Sequence, residues 1–287
     1  MYKKGNIALL NFLSPVHAGS GQDLGIVDQP VQRERHTNYP KIEASGIKGC
    51  FRAYFDSRSE KKDRVETLFG PEPNSNDNDY AGSLGFSDAR IFLFPVKSVK
   101  GVFAYTTSVD VLNKFIDNYN SLYNKKLDKI DINIEEGKCL VLNDDLKIDK
   151  NIILEEYTFK CENIDNDNLS DLIKLKEIND FKDKLVILSD NDFSDFVDMS
   201  TEVITRTRID PDTGTVKQGA LFTEEYLPAE TIMYSNIFYS PSFKNGDDHD
   251  EKDIEDEFKK NKPEIIQLGG NQNLGKGMVK IDILEVK

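Results

Sequence analysis

Asn6-Ile-Ala-Leu-Leu-Asn-Phe-Leu13, closed by Ser14-Pro15, is the stretch on which the fold turns. Its residues are apolar on both alternating faces. That pattern predicts a strand covered on both sides, at the centre of a sheet. A long polar loop runs from His17 to Ala44, and Ser45 is expected as the N-cap of a helix. Behind it Ile47, Cys50, Phe51, Tyr54 and Phe55 recur at helical spacing. A second helix is expected over Glu60–Phe69. Strands follow at Ile91–Val96 and Val102–Thr107, joined by Lys97-Ser98-Val99-Lys100-Gly101, and then a helix at Val109–Tyr119. The chain closes on a strand at Met278–Val286. A strand–helix–strand opening with a strand at the end predicts an α+β, ferredoxin-like sheet.

The rest is less regular. Residues 71–81 form a polar loop rich in Asn and Asp. Residues 120–200 are weakly patterned, with one strand expected at Leu185–Leu188 and helices near Leu169–Ile178 and Phe193–Val197. Val203–Ile209 and Thr215–Phe222 predict the arms of a hairpin. Between them Asp210-Pro211-Asp212-Thr213-Gly214 supplies the turn, since Pro presets φ and Gly supplies a positive one.

The 287 residues suffice for one large domain or a core with sizeable insertions. With 38 % apolar and 31 % charged residues, the chain reads as soluble with a modest core. No apolar run approaches a membrane span, and Met1-Tyr2-Lys3-Lys4-Gly5 lacks signal-peptide features. The cysteines (Cys50, Cys139, Cys161) are odd in number and far apart in sequence, so no disulfide framework is expected and a cytoplasmic home fits best.

A net charge of −14 argues at first against a nucleic-acid partner. Its distribution reverses that argument. Residues 144–200 hold 16 acids against 7 lysines, and residues 247–257 hold 8 acids against 1 lysine. Both segments read as solvated insertions. Residues 31–64 hold 9 Lys and Arg against 5 acids, which leaves room for a local basic surface.

Several motifs invite stronger readings. Gly270 to Lys276 matches the spacing of a phosphate-binding P-loop, but Gly277 stands where a Ser or Thr should hold magnesium, and a strand follows instead of a helix. Nucleotide hydrolysis is therefore rejected. A structural turn or a backbone nest for a nucleic-acid phosphate remains, with turn chemistry favouring the first. Asp212-Thr213-Gly214 copies the aspartic-protease triplet, yet it sits where a hairpin must turn. Asp77-Asn78-Asp79 opens a poor calcium loop, with Ala81 where an oxygen ligand is needed. His17, His36 and His249 show no zinc-ligand spacing. The loop His17-Ala-Gly-Ser-Gly21, with Asp28 and Arg33-Glu34-Arg35-His36, is harder to set aside. It leads into Ser45-Gly-Ile-Lys48-Gly49, a helix start whose amides favour an anion, with Lys48 and Arg52 on one face. A phosphate cradle and an ordinary solvated loop both stand on the physics alone.

The string His17–Gly21, Gly25-Ile-Val-Asp28-Gln-Pro30-Val-Gln-Arg-Glu34-Arg-His36, Pro40 and Ser45–Gly49 resembles the backbone RNase subunits of Cmr (type III-B) CRISPR complexes, in the RAMP superfamily. Leu68-Phe69-Gly70, Gly82–Arg90, Phe94–Phe103, Gly219-Ala-Leu221-Phe222 with Glu225 and Pro228, and Gly269–Gly277 continue the likeness. Residues 120–200 contribute little to it. The resemblance implies an RRM-like palm over residues 5–110 and 263–287 and an acidic helical insertion over 120–200. It also implies a thumb hairpin over 201–228 and an acidic loop over 245–262. Implied partners are a CRISPR guide RNA, target RNA, further copies of the chain and other Cmr subunits, with no membrane.

Under that resemblance Asp28 falls on the catalytic aspartate, with His17 and Glu225 on or near assisting positions. RNA would be held by Gly19, Ser20, Gly21, Arg33, Ser45, Lys48, Arg52, Arg206, Arg208, Gly270, Gly275, Lys276 and Gly277. Target RNA would be cut at regular intervals with a divalent metal, magnesium by expectation, and Asp28 is the only residue singled out as a ligand. The alternative is a non-catalytic RNA scaffold.

Overall fold

The computed structural model describes residues 4–22, 25–58, 62–72, 80–162, 169–173 and 175–284. Asp77-Asn78-Asp79 lies outside them. Strand β1 (Lys4–Phe12) is buried along nearly its whole length, as its two-faced apolar pattern requires. It pairs antiparallel with β12 (Ile232–Tyr239) on one side and β14 (Met278–Ile283) on the other. Beyond β12 lies β4 (Ala89–Lys97), also antiparallel. Helix α1 (Ala44–Arg58) connects β1 to this β4 half, and helix α7 (Glu251–Asn261) connects β12 to β14.

Both helices cover one face of the sheet. Phe258 of α7 lies 5.4 Å from the Phe51 ring and 5.9 Å from Phe55, both on α1. It also meets Tyr239 of β12 at 6.3 Å. Helix α3 (Val109–Tyr123) covers the other face, where Phe115 packs on Phe92 at 4.6 Å and on Tyr234 at 5.2 Å. Tyr234 and Tyr239 have opposite parity on one strand, so they point to opposite faces.

The segment expected as a solvated helical insertion also contributes four strands to the sheet. Strands β6 (Lys138–Val141), β7 (Asn151–Leu154), β8 (Tyr157–Glu162) and β9 (Leu185–Leu188) extend the sheet past β5 (Phe103–Ser108), in the order β5-β9-β6-β8-β7. Helices there are short: α4 (Ser170–Ile173), α5 (Lys176–Asn179) and α6 (Asp190–Met199). Asp190, Asp195 and Asp198 lie on the exposed side of α6, and Asp144, Asp145 and Asp149 are exposed between β6 and β7. Val186, Ile187, Leu188, Cys139 and Ile152 fill the inside. Strand β9 lies where a strand was expected, while β6, β7 and β8 are too short and too interrupted by charge for alternation to mark them. The row bends until β7 meets the β4–β5 turn, where the Val99 N–H donates to the Ile153 carbonyl at 3.1 Å and the Glu155 N–H to that of Lys97 at 2.9 Å. Cys139 and Cys161, far apart in sequence, are opposed across β6 and β8 with sulfurs 3.7 Å apart, both as free thiols.

Two further expectations are corrected. The acidic run 247–257 is not a loop but contains most of α7. Asp250 caps that helix by accepting from the Lys252 and Asp253 N–H groups, and Ile254 and Phe258, four apart, give it a narrow buried stripe. Ser45 is not an N-cap, because α1 already includes Ala44 and leaves Ser45 exposed in its first turn. The cap comes from across the fold, with the Asp88 carboxylate accepting the Ala44 N–H at 2.9 Å. This supplies part of the negative charge that the helix start attracts.

Ahead of α7, Asp247 accepts from Ser242 Oγ at 2.9 Å and Thr67 Oγ1 at 3.1 Å, and pairs with the His249 ring. Burial alone would raise the Asp247 carboxyl, but these bonds outweigh it and pull it down to about 2. The Asp247 bond in turn raises His249 above its usual 6.5. The Asp247 contribution to stability is present above pH 3.8 and fades as pH falls toward 2; that of His249 is full below pH 6.5 and fades as pH rises through the raised value. We therefore expect the melting-temperature gap between wild type and His249→Ala to shrink from about pH 5.5 to about pH 9. A gap that does not change with pH refutes the pairing.

The remaining hairpin stands apart from the main sheet. Strands β10 (Glu202–Ile209) and β11 (Val216–Tyr226) form their own two-stranded ribbon. Its turn is built as expected: the Asp210 side chain accepts the Asp212 and Thr213 N–H groups, and Gly214 takes φ +67°. Among the described residues no helix is long and apolar enough to cross a membrane.

Candidate nucleic-acid interface

Three segments converge where the hairpin leaves the sheet. The first is the polar stretch 16–34, whose described residues 16–22 and 25–34 are braced by pairing to other segments. Val16 pairs with Leu227, Gly19 with Val31, and Gln29 runs parallel to Glu224. The second is the base of β11, residues 223–227. The third is the glycine-rich turn 268–277.

His17 sits at their junction and is buried. Its Nδ1 lies 2.7 Å from the Glu225 carbonyl oxygen, which can only accept, so Nδ1 carries a hydrogen. The His17 carbonyl accepts the Gly270 N–H at 3.0 Å. Two glycines make this approach possible. A Cβ on Gly19 would sit 2.6 Å from His17 Nε2, and one on Gly269, at φ +76°, would sit 2.2 Å from the His17 carbonyl oxygen. The Gly-Ser-Gly and glycine-rich segments thus first serve to pack against one histidine.

Asp28 lies at the outer margin of this junction, exposed. Its Oδ2 accepts the Thr223 N–H at 2.7 Å and the Thr223 hydroxyl at 2.9 Å, while its own N–H donates to Thr223 Oγ1 at 3.0 Å. The Thr223 backbone bond, with the hydroxyl bond behind it, holds the Asp28 carboxyl below the usual aspartate range.

The two glutamates beside Thr223 point to opposite sides of β11. Glu225 braces the loop: Oε2 accepts the Val31 N–H at 2.9 Å and Oε1 pairs with Arg33 at 2.5 Å. Glu224 belongs to a network on the other side. Its Oε2 accepts from Arg206 Nε at 2.9 Å and from the Tyr226 hydroxyl at 2.8 Å, and Oε1 accepts from Asn271 Nδ2 at 3.1 Å. The Tyr226 hydroxyl accepts from Arg206 and Asn271 as well. Lys276 Nζ stands 4.8 Å from the Tyr226 ring centre, and the His17 ring lies 5.5 Å from it. Burial opposes the Glu224 charge, yet the bonds from Asn271, Tyr226 and Arg206 win and lower its carboxyl.

Several expected RNA contacts prove to be internal. Arg33 is tied to Glu225, to Asp198 at 3.4 Å and to the carbonyls of Asn38 and Val197. Arg206 is held by Glu224 and Tyr226. Several amides of the glycine-rich turn are already taken by carbonyls of the protein. Gly270 donates to His17, Gly275 to Gln272, Lys276 to Asn271 and Gly277 to Pro15. These bonds are those of a structural turn, and the Lys276 side chain lies over the Tyr226 ring. Arg208 falls where the hairpin register shifts, so it does not continue the face of Ile204 and Arg206. Ser20, Gly21, Ser45 and Arg208 are exposed, and Lys48 and Arg52 are half-buried. Burial, with the Arg52 charge beside it, lowers the Lys48 ammonium. Thr223, Glu224, Tyr226 and Asn271 were not singled out from the sequence, and no spacing signal joins them to residues 17–34.

Among the described residues no group of three or more His, Cys, Asp or Glu converges on one point. Asp28 offers one exposed carboxylate. That donor set does not build a protein cage, but it suits a hydrated magnesium sharing its shell with an RNA phosphate.

A family model of the RAMP superfamily matches residues 9–280. The chain belongs to the RAMP superfamily. Among RAMP relatives, the CRISPR system Cmr endoribonuclease Cmr4 of Pyrococcus furiosus is 37 % identical, over 99 % of this chain and 97 % of its own. The crystal structure of oligomeric Cmr4 from Pyrococcus furiosus superposes with a TM-score of 0.74 at 29 % identity, covering 99 % of both chains. A chain of the type III-B Cmr-beta complex, in a cryo-EM structure of its apo state, reaches 0.80 at 25 % identity, over 99 % of this chain and 98 % of that one. The RAMP match spans the sheet, the hairpin and the glycine-rich turn together, and so covers all three segments of the junction.

Proposed function

We propose that this chain is a backbone subunit of a type III-B CRISPR ribonucleoprotein, holding guide RNA and cutting complementary target RNA at regular intervals in the cytoplasm. The similarity to the Cmr4 endoribonuclease over nearly the full length of both chains carries this reading. The sheet order β14-β1-β12-β4, with α1 and α7 on one face, supports an RRM-like palm. The detached β10–β11 ribbon supports a thumb. Magnesium is the expected partner at Asp28, and when bound it supplies positive charge at the scissile phosphate.

The guide would run along the exposed start of α1. Gly46 and Gly49 have open space where side chains would be, and each costs the helix about 1 kcal/mol relative to Ala. A helix face bare of side chains lets a sugar–phosphate backbone come close, with Ser45, Lys48 and Arg52 beside it. Gly19, Ser20 and Gly21 border the same region. The hairpin carries exposed Val203, Ile209, Val216 and Leu221, an apolar surface suited to an unstacked base.

RNA cleaves itself when a 2′-OH is deprotonated and lies in line with its own phosphorus. A paired nucleotide in an A-form helix does not reach that geometry, while a nucleotide displaced by the hairpin does. Asp28, at the hairpin base, is placed to orient or accept the proton of that 2′-OH, leaving a 2′,3′-cyclic phosphate and a 5′-OH. With its carboxyl held low, Asp28 is a weak base, so positioning supplies most of the rate. His17, with Nε2 toward Gly19, assists from below, and Glu225 acts by bracing the loop.

The test is a complex reconstituted with a guide RNA and given end-labelled complementary RNA. Evenly spaced products whose ends shift mobility only after opening of a cyclic phosphate are expected. Guide and target binding with no cutting would leave the scaffold reading instead.

A further inference from the structure

We propose that Thr223 is a positioning residue that registers the Asp28 carboxylate to the hairpin. This inference rests on the reading of Asp28 as the reacting carboxylate. Three hydrogen bonds join the two residues, which are 195 positions apart in sequence. Both donations fall on the same carboxylate oxygen, Oδ2. The other oxygen, Oδ1, carries neither bond, and the residue is exposed.

The clasp is more than local packing. Asp28 follows Gly25, an exposed Ile26 and Val27 in a run of bends, so its own segment does little to fix the carboxylate. The neighbouring backbone strengthens the attachment to β11, since the Gln29 N–H donates to the Thr223 carbonyl at 3.0 Å and the Glu225 N–H to the Gln29 carbonyl at 3.0 Å. Asp28 is thereby fastened to the strand that becomes the hairpin. Thr223 also stands two residues from Leu221, a 64 % exposed apolar side chain on the same strand. Side chains alternate along a strand, so Leu221 and Thr223 lie on one face. A nucleotide displaced against Leu221 would meet a carboxylate already set at a fixed distance from it. A loop-borne aspartate would not keep that spacing when the hairpin shifts.

Threonine suits this task in a way that valine does not. Its hydroxyl donates to Oδ2 and accepts the Asp28 N–H at once, while its β-branch fits the strand. Thr223→Val keeps shape and the backbone donation but removes both hydroxyl bonds; Thr223→Ser restores them.

The experiment uses the assembled, guide-loaded complex under single-turnover conditions with saturating complementary RNA. Thr223→Val should slow cleavage roughly 10- to 100-fold, as small misplacements of a reacting group do. Target affinity should stay within about threefold of wild type, and Thr223→Ser should recover most of the rate. In the Asp28→Asn background Thr223→Val should have little further effect. Unchanged cleavage in Thr223→Val overturns the proposal, as does a loss that tracks weakened target binding and is not rescued by serine. If Asp28→Asn itself cleaves normally, the catalytic reading of Asp28 fails first, and the two failures are told apart.

Discussion

Asp28→Asn is expected to lower target cleavage by about 10²- to 10⁴-fold in the assembled complex, with guide and target binding retained. The substitution is nearly isosteric and keeps one side-chain oxygen to accept the Thr223 N–H and hydroxyl. It removes the negative charge and replaces the second oxygen with a donor. Asp28 is exposed and makes no buried ion pair, so the fold should melt within a degree or two of wild type. Loss of rate without loss of stability is the signature of a group that acts on substrate. Equal rates for wild type and Asp28→Asn would move the chemistry elsewhere.

The second large effect has the opposite signature. Glu225→Ala should destabilise the protein by about 2–4 kcal/mol and abolish cleavage as a consequence. Glu225 is 5 % exposed, and both its oxygens are engaged, one by the Val31 N–H and one by Arg33. Truncation leaves a largely buried guanidinium without its main partner and an amide without an acceptor. Arg33 keeps Asp198 and two carbonyls, so the loss stays below that of an isolated buried charge. Thermal unfolding should show the loss directly. A variant that melts normally but does not cleave would instead give Glu225 a direct part in the reaction.

The two carboxylates show what could be read from the chain. Asp28 is singled out only by the resemblance carried on residues 17–49, while β1, α1 and the β10–β11 turn are legible because apolar period or turn chemistry marks them locally. Strand β12 was missed although it pairs with β1, β3 (Leu84–Phe86) and β4. Its apolar run follows a proline-bearing turn and offers no period to separate strand from helix. Helix α7 was missed because its two core residues are set among acids. The choice between Glu224 and Glu225 is a matter of which side of one strand faces the loop. Adjacent residues differ there by half a turn of the pleat, and only the pairing with residues 29–31 decides it. The same limit hid the engagement of Arg33 and Arg206, whose partners lie 192 and 18 positions away.

The closure of the outer strands on the β4–β5 turn has a consequence for life in an assembly. A strand edge left open is a template for any similar strand nearby. A backbone subunit of the kind proposed above would meet such strands at high local concentration, beside copies of itself. Here β7, the last strand of the row, has its second side occupied by Lys97–Val99 of the same chain. The other margin ends in β13 (Ile265–Gln267), only three residues long. The margins of the main sheet are thus closed or short, so copies brought side by side would not be led to zip main sheet to main sheet.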